Sequence, residues 1–155
     1  MKQSRFVYVI LIRTTPEKLW QALTDPEFSR KYWKNMRQES DWQPGSPWSL
    51  RFPNGKLADS GTILKSEPPH KMIVQWRNEW KPELNAEGYS QMTYELVALG
   101  DSVRLTVIHE IDVPQSKLIE AVSNGWPQIL SSLKSLLETG EPLAITRENC
   151  KSDAK

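Results

Sequence analysis

The feature that most constrains the fold of this chain is a long stretch of period-two alternation that precedes a single amphipathic segment. Between residues 38 and 110, apolar and polar residues alternate in short runs separated by turn-forming residues, which is typical of antiparallel strands with one buried face. Only residues 115–139 carry apolar side chains at helical spacing over a length that can cover this face. The sequence therefore predicts an α+β domain in which a curved antiparallel sheet of about six or seven strands wraps around a long C-terminal helix.

Shorter signals divide the N-terminal part of the chain. Residues 6–12 are β-branched and aromatic, which favours a first strand. Thr14 and Glu17 stand at capping-box spacing and predict the start of a short helix. Asp25 precedes a proline, so it predicts either the end of this helix or the start of a second short one.

Three features set limits to the elements in the C-terminal half. The polar residues 78–88 predict a loop. Pro127 has no backbone N–H and predicts a break or kink, at which a second helical segment would begin. Gly140 is placed as a helix C-cap. The polar residues 142–155 are predicted to form a tail after a single domain of residues 1–141.

Charge and cysteine usage exclude several partners and locations. The 20 basic and 19 acidic residues leave a net charge of +1, which argues against a nucleic acid or an anionic membrane as the main partner. No apolar run approaches the roughly 20 residues that a membrane-spanning helix needs, and residues 6–12 lack a signal-peptide cleavage site. The single cysteine, Cys150, excludes an internal disulfide and agrees with a reducing, cytoplasmic location.

Residues for metal or nucleophilic chemistry are scarce. The chain has two histidines, His70 and His109, and one cysteine, whereas a zinc site needs a cluster of such ligands. The seven glycines are scattered through turns, and no serine stands in a nucleophile elbow. We therefore predict neither a metal site nor a cofactor, and the sequence favours binding over catalysis.

Two polar residues are predicted to lie on the buried face of the sheet. His109 shares the parity of Leu105 and should point to the dry side. There it would contact a polar group of a ligand, or it would be a structural histidine bonded to a backbone carbonyl. Tyr94 shares the parity of Met92, and its hydroxyl would reach either a ligand or the rim of the core.

Large aromatic side chains are frequent, with seven tryptophans in 155 residues. Aromatic walls with few polar groups are typical of small-molecule sites, so several tryptophans would line a flat slot with Trp80 at its mouth. The alternative is a core that these side chains fill without leaving a cavity. The predicted ligand-binding residues are Trp33, Trp48, Met72, Trp76, Met92, Tyr94, Leu105, His109, Trp126 and Leu130.

A basic cluster surrounds the second short helix. It consists of Arg30, Lys31, Lys34 and Arg37. Such a cluster is usually a solvated face. The alternative is a contact patch for an acidic protein partner.

Three segments of the sequence carry a resemblance to a known family. They are residues 15–27 with Trp33 following, residues 61–64 with Pro68, Pro69 and the strand of Trp76, and residues 125–140. Over about residues 5–141 the chain resembles the Activator of Hsp90 ATPase homologue 1-like domains of the START/Bet v 1-like superfamily. The resemblance implies a helix-grip fold, in which the sheet wraps the C-terminal helix.

The resemblance also implies a range of functions, because relatives include lipid and polyketide binders, some cyclases, and the C-terminal domain of an Hsp90 co-chaperone. We predict binding of a hydrophobic or amphipathic small molecule, such as a lipid or an aromatic polyketide-like compound. One alternative is a chaperone-binding module of the Hsp90 type with a role in stress response. Another is a cyclase- or hydrolase-type enzyme that uses His109 and Tyr94 as acid and base.

Overall fold

A computed structural model describes residues 2–146 of the chain, so Cys150 and the end of the predicted tail lie outside the described residues. The elements follow the predicted order, with one additional short helix between the fifth and sixth strands. They are β1 (Ser4–Ile12), α1 (Pro16–Thr24), α2 (Pro26–Tyr32), β2 (Arg37–Ser40), β3 (Pro47–Arg51), β4 (Leu57–Glu67), β5 (Lys71–Asn78), α3 (Pro82–Asn85), β6 (Ser90–Leu99), β7 (Ser102–Ile111), α4 (Lys117–Thr139) and a 3-10 turn (Ala144–Thr146).

The seven strands form one antiparallel sheet in the order β1-β7-β6-β5-β4-β3-β2. Strands that follow one another along the chain from β2 to β7 are hydrogen-bonded neighbours. Strand β1 pairs with β7, with Ser4–Ile12 opposite residues 103–111. The sheet is open, with β1 and β2 as its edges. Helix α4 packs against β1, β7 and α2, which confirms the predicted α+β fold with a long C-terminal helix.

Strand alternation determines which side chains enter the core. Along β5, Met72, Val74 and Trp76 are buried while their neighbours are half-buried. The same rule holds for β7, where every second residue from Val103 to Ile111 is buried. The predicted parity of the central strands is therefore confirmed.

Each short helix begins at a capped proline. The side chain of Thr15 accepts a hydrogen bond from the N–H of Lys18, so Thr15 is the N-cap of α1 and the prediction of Thr14 is wrong by one residue. The reason is that Pro16 occupies the first helical position, which leaves the preceding residue to cap. Asp25 caps α2 by accepting from the N–H of Glu27.

Helix α4 runs through Pro127 as a single 23-residue element, so the predicted break is wrong, whereas the alternative of a kink stays a prediction. Proline removes one backbone hydrogen bond, but apolar residues on both sides of it, including Trp126 and Leu130, are buried in the same core. Packing of one continuous face outweighs the lost bond. Ser116 caps the helix at its start, and Gly140 ends it with φ of 86°, as the C-cap prediction requires.

The segment after α4 returns to the body of the domain. Residues Ala144–Thr146 form a 3-10 turn, and the side chain of Thr146 is fully buried. The carbonyl oxygen of Thr146 accepts a hydrogen bond of 2.9 Å from the N–H of Lys34. Packed structure thus extends past residue 141, where the polar composition predicted the tail to begin. No helix within residues 2–146 has the length and apolar character needed to cross a membrane.

Candidate functional site

A pocket of about 330 Å³ opens where α4, the connection after α2 and the ends of β3, β4 and β5 meet the segment of α3. Most of its lining is aromatic or aliphatic, and its polar side chains are few. We call it the tryptophan pocket. Its lining residues are Trp33, Lys34, Met36, Leu50, Phe52, Asp59, Trp76, Asn78, Trp80, Lys81, Leu84, Leu118, Ala121, Val122, Gly125, Trp126 and Ile129.

Three indole rings from distant parts of the chain form the inner wall of the pocket. Trp33 follows α2, Trp76 lies on β5 and Trp126 lies on α4. The ring centroids of Trp33 and Trp126 are 5.4 Å apart, those of Trp76 and Trp126 are 5.9 Å apart, and those of Trp33 and Trp76 are 6.1 Å apart. Because the rings support one another, the wall is a preformed apolar surface.

The mouth of the pocket has a second aromatic pair and an ordered turn. Phe52 and Trp80 meet edge to face with centroids 5.3 Å apart, and the ammonium of Lys81 lies 4.9 Å from the centre of the Trp80 ring. The side-chain oxygen of Asn78 accepts hydrogen bonds from the backbone N–H groups of Trp80 (3.1 Å) and Lys81 (2.8 Å). Asn78 thereby holds the turn that carries both residues.

Asp59 places a carboxyl group inside this mostly apolar pocket. It lies on β4 directly opposite Asn78 on β5 and is only 8 % exposed. Burial raises the pKa of Asp59, the nearby charge of Glu79 also raises it, and the indole N–H of Trp76 lowers it; the resulting pKa is about 7. That N–H approaches the carboxyl without completing a hydrogen bond of ordinary geometry, and Trp76 Nε1 has no partner within residues 2–146.

His109 lies behind the inner wall and is fully buried. Its Nδ1 accepts a hydrogen bond of 3.1 Å from Trp126 Nε1. The second nitrogen, Nε2, lies 2.8 Å from the hydroxyl of Ser90, which donates at 3.0 Å to the carbonyl oxygen of Trp76. Since Nδ1 and the Ser90 oxygen must accept, His109 carries its proton on Nε2.

This arrangement makes His109 a neutral structural residue that orients the pocket wall. Burial lowers the pKa of His109 to about 3. Both ring nitrogens are used inside the protein, and His109 does not line the pocket. His109 bonds to Trp126 and Ser90 instead of the predicted backbone carbonyl, and the hydroxyl of Ser90 in turn donates to the carbonyl oxygen of Trp76.

Tyr94 is also buried behind the wall, and its hydroxyl makes no hydrogen bond within the part of the chain that the structure describes. Burial raises the pKa of Tyr94 above its usual range. Its ring meets that of Trp126 edge to face with centroids 6.1 Å apart. Neither Tyr94 nor His109 therefore stands where it would touch a molecule in the tryptophan pocket.

The structure brings three of the ten predicted site residues, Trp33, Trp76 and Trp126, to the surface of the pocket. The remaining seven are buried in the packed core below it: Trp48, Met72, Met92, Tyr94, Leu105, His109 and Leu130. Much of the space between sheet and helix is thus filled by side chains. The open volume lies at one end of α4. Ligand binding in this volume stays a prediction.

Asp59 is the principal residue that sequence reasoning missed. Asp59 lies on β4, which begins at Leu57. Extending the alternation backward from Ile63 through Gly61 reaches Asp59, whose partners across β5 are buried. An acidic residue at an inward position of a strand was the available signal.

The basic cluster does not form one free patch. Arg30 pairs with Glu27 at 3.2 Å, and Arg37 lies 3.7 Å from Glu39. Lys34 lines the tryptophan pocket instead. A second and more open depression of about 570 Å³ lies beside Arg30 and Lys31; its lining is Glu27, Arg30, Lys31, Asn35, Leu136, Gly140 and Pro142.

A known protein family matches most of the chain. The family described as Activator of Hsp90 ATPase homolog 1-like protein matches residues 13–138. No curated protein sequence matches the chain.

Solved structures share the fold at low sequence identity. The Aha1 dimer from Colwellia psychrerythraea is 23% identical, with a TM-score of 0.72 over 88% of this chain and 98% of that one. PFC0360w, an HSP90 activator from Plasmodium falciparum, is 23% identical, with a TM-score of 0.70 over 86% and 95%. DynU16, from the dynemicin biosynthetic locus, is 18% identical, with a TM-score of 0.74 over 89% of this chain and 48% of that one.

Proposed function

The chain belongs to the Activator of Hsp90 ATPase homolog 1-like family, and from this premise we propose that it binds a hydrophobic or amphipathic small molecule in the tryptophan pocket. The observation that carries the proposal is a preformed pocket of about 330 Å³ with three mutually supporting indole rings and one buried carboxyl. This volume lies within the roughly 300–1,000 Å³ that is usual for small-molecule sites. An aromatic polyketide-like compound or the end of a lipid would suit the apolar wall.

The family and its structural relatives support more than one kind of ligand. DynU16 comes from the dynemicin biosynthetic locus, which agrees with a polyketide-like compound as a ligand class. Lipid binding remains part of the same proposal, because an acyl chain would bury its surface equally well against the indole rings. A cytoplasmic location, which the cysteine usage suggested, completes the proposal.

Gly125 offers a direct test, because it lines the pocket from α4 and a Cβ atom added there meets nothing within 4 Å. Gly125→Leu should fill the pocket while keeping the helix, since leucine has a higher helix propensity than glycine. We expect it to weaken binding of fatty acids and polycyclic aromatic compounds by at least about tenfold. Tryptophan fluorescence titration would measure the affinities, and native mass spectrometry would detect ligands that copurify.

Gly125→Ala is the matched control, because it adds a single methyl group at the same position and leaves most of the pocket open. It should bind like the unmodified protein. Equal binding by the unmodified protein and Gly125→Leu would place the ligand elsewhere and contradict the proposal. So would a protein that carries no ligand after purification and binds no compound of the panel.

A second candidate function is a chaperone-binding module of the Hsp90 type with a role in stress response. It is favoured by the likeness to PFC0360w, an HSP90 activator, together with Arg30 and Lys31 beside the open depression. The double variant Arg30→Glu/Lys31→Glu should abolish salt-sensitive binding to purified Hsp90. Arg13→Glu/Lys18→Glu makes the same charge change at exposed positions outside the cluster and is the control. Absence of any binding by the unmodified protein would contradict this function.

A further inference from the structure

Asp59 is the acidic residue among the lining side chains of the tryptophan pocket, and within residues 2–146 no Lys, Arg or His approaches its carboxyl to salt-bridge distance. The ion pairs of this part of the structure all involve other acids. A buried carboxylate without a counter-ion is costly, because it loses its hydration and gains no opposite charge. The pocket thus contains an acid whose electrostatic partner the described protein does not supply.

The neighbours of Asp59 add to its need for a positive charge. Glu79, beyond the end of β5, places a second negative charge nearby. Arg77 forms an ion pair with Glu79, with 2.8 Å between Arg77 Nε and Glu79 Oε2. Neither lysine of the pocket forms an ion pair with Asp59 within residues 2–146, and the ammonium of Lys81 lies over the ring of Trp80.

Aromatic side chains surround the same space. Trp33, Trp76 and Trp126 form its inner wall, and Phe52 and Trp80 flank its mouth. The π-face of an indole ring carries partial negative charge and attracts ammonium groups, most strongly when both are shielded from water. A carboxylate set among such faces is a chemical environment that recognises an organic cation. A neutral or anionic group in the same place would leave Asp59 without a counter-ion.

We infer that the ligand of the tryptophan pocket is an amphipathic amine, with a hydrophobic body against the indole rings and a protonated or methylated nitrogen at the carboxyl of Asp59. This inference rests on the proposed small-molecule function and names its ligand class. The lysines at the mouth leave the outer end of the ligand free to be neutral or acidic. The amine supplies the charge that Asp59 lacks, and the indole rings supply the apolar contact area.

The test compares probes that share one aromatic body and differ in the terminal group: 2-(1-naphthyl)ethylamine, 2-(1-naphthyl)ethanol and 1-naphthylacetate. Isothermal titration calorimetry of the full chain would measure their affinities. The amine should bind at least about tenfold more tightly than the alcohol, since it adds a charge-assisted hydrogen bond and cation–π contacts. The carboxylate should bind most weakly, because it would bring a second negative charge beside Asp59.

Variants separate the carboxyl from the pocket as a whole. Asp59→Asn keeps the side-chain shape and should reduce the affinity for the amine at least about tenfold more than the affinity for the alcohol. Asp41→Asn makes the same charge change at an exposed position of the loop before β3 and should preserve the preference. If Asp59→Asn does not fold, the pH dependence of amine binding by the unmodified protein still tests the inference. Its affinity for the amine should rise from about pH 6 to about pH 8 as Asp59 ionises; the other charged groups around the pocket are Glu79, Lys34 and Lys81.

The outcomes distinguish this inference from the proposed function. If none of the three probes binds, both fail together. Equal or tighter binding of the alcohol or the carboxylate keeps the pocket function and overturns the amine. An amine preference that survives in Asp59→Asn also overturns the inference, because the selectivity would then arise elsewhere.

Discussion

At the scale of single residues, His109 shapes the pocket without entering it. Its Nδ1 holds the indole of Trp126 at 3.1 Å, and its Nε2 is joined through Ser90 to the backbone of Trp76. Two of the three tryptophans of the inner wall are thus connected to one buried imidazole, Trp126 through its indole N–H and Trp76 through its backbone. A histidine at this position contributes orientation to the site rather than acid–base chemistry.

His109→Ala should lower the free energy of unfolding by about 3 kcal/mol, because it leaves a cavity and a buried indole N–H without an acceptor. The pKa of His109 is lowered to about 3 from 6.5, so the unfolded state binds the proton first. The contribution of His109 is fully present above about pH 6.5 and is lost as pH falls toward about 3. Urea denaturation at several pH values would measure it. His70→Ala, at an exposed site, is the control, and equal losses in both variants would refute the assigned role.

Asp59→Asn should stabilise the empty protein at about pH 8. The pKa of Asp59 rises from 3.8 to about 7 on folding, so its stabilising effect is complete below 3.8 and is lost as pH rises through about 7. Above that pH the folded protein contains a buried, unpaired carboxylate, which asparagine avoids. We expect a gain of at least about 1 kcal/mol at pH 8 that shrinks by pH 5. Thermal unfolding at both pH values checks this, and a pH-independent difference would argue against a perturbed Asp59.

At the scale of elements, two glycines in regular structure have opposite roles. A Cβ atom on Gly61 of β4 would lie 1.5 Å from the carbonyl oxygen of Gln75 on β5. The two strands can therefore approach here only because Gly61 has no side chain. Gly125 in α4 faces open space instead, so its lack of a side chain leaves room in the pocket at a cost to the helix.

The same substitution should therefore act in opposite directions at these two positions. Gly61→Ala should cost more than about 3 kcal/mol, since the backbone of β5 must move. Gly125→Ala should stabilise the protein by about 0.5–1 kcal/mol through helix propensity. Chemical denaturation of both variants measures the pair. A tolerated Gly61→Ala would show that β4 and β5 pair less closely at this point.

At the scale of the whole molecule, the chain after α4 completes the domain beside the pocket. Thr146 is buried, its hydroxyl contacts Ser132 of α4, and its carbonyl oxygen holds the N–H of Lys34 at 2.9 Å. Lys34 lines the tryptophan pocket. The segment that follows Gly140 thus connects α4 to one side of the mouth.

Truncation tests this connection and the predicted domain end at residue 141. A chain that ends at Glu141 should be less stable than one that ends at Thr146 by about 1–3 kcal/mol, because Ser132 and Lys34 lose hydrogen-bond partners. The two truncated chains differ only in residues 142–146, so each is the control for the other. Equal unfolding free energies would place the end of the domain at residue 141.

Much of the fold was predictable because it depends on local periodicity. Side chains alternate across a strand and recur every three to four residues along a helix, so the buried faces around Trp76, Leu105 and Leu133 followed from spacing. Where local rules competed with packing, local rules were wrong. Pro127 lies inside a continuous α4 because both flanking turns bury the same face.

The sequence by itself determined the class of fold, the inward parity of the central strands and the presence of many aromatic side chains in the core. Tertiary structure alone decided which of these side chains border open space. The volumes of Trp48, Met72 and Met92 fill the middle of the core, and the remaining space collects at one end of α4. The pKa of Asp59 could not be predicted from the sequence either, because it depends on the desolvation and charges that residues distant in sequence impose on it. The spacing of apolar residues determines which way their side chains point, whereas cavity shape and local dielectric arise only when the elements have packed.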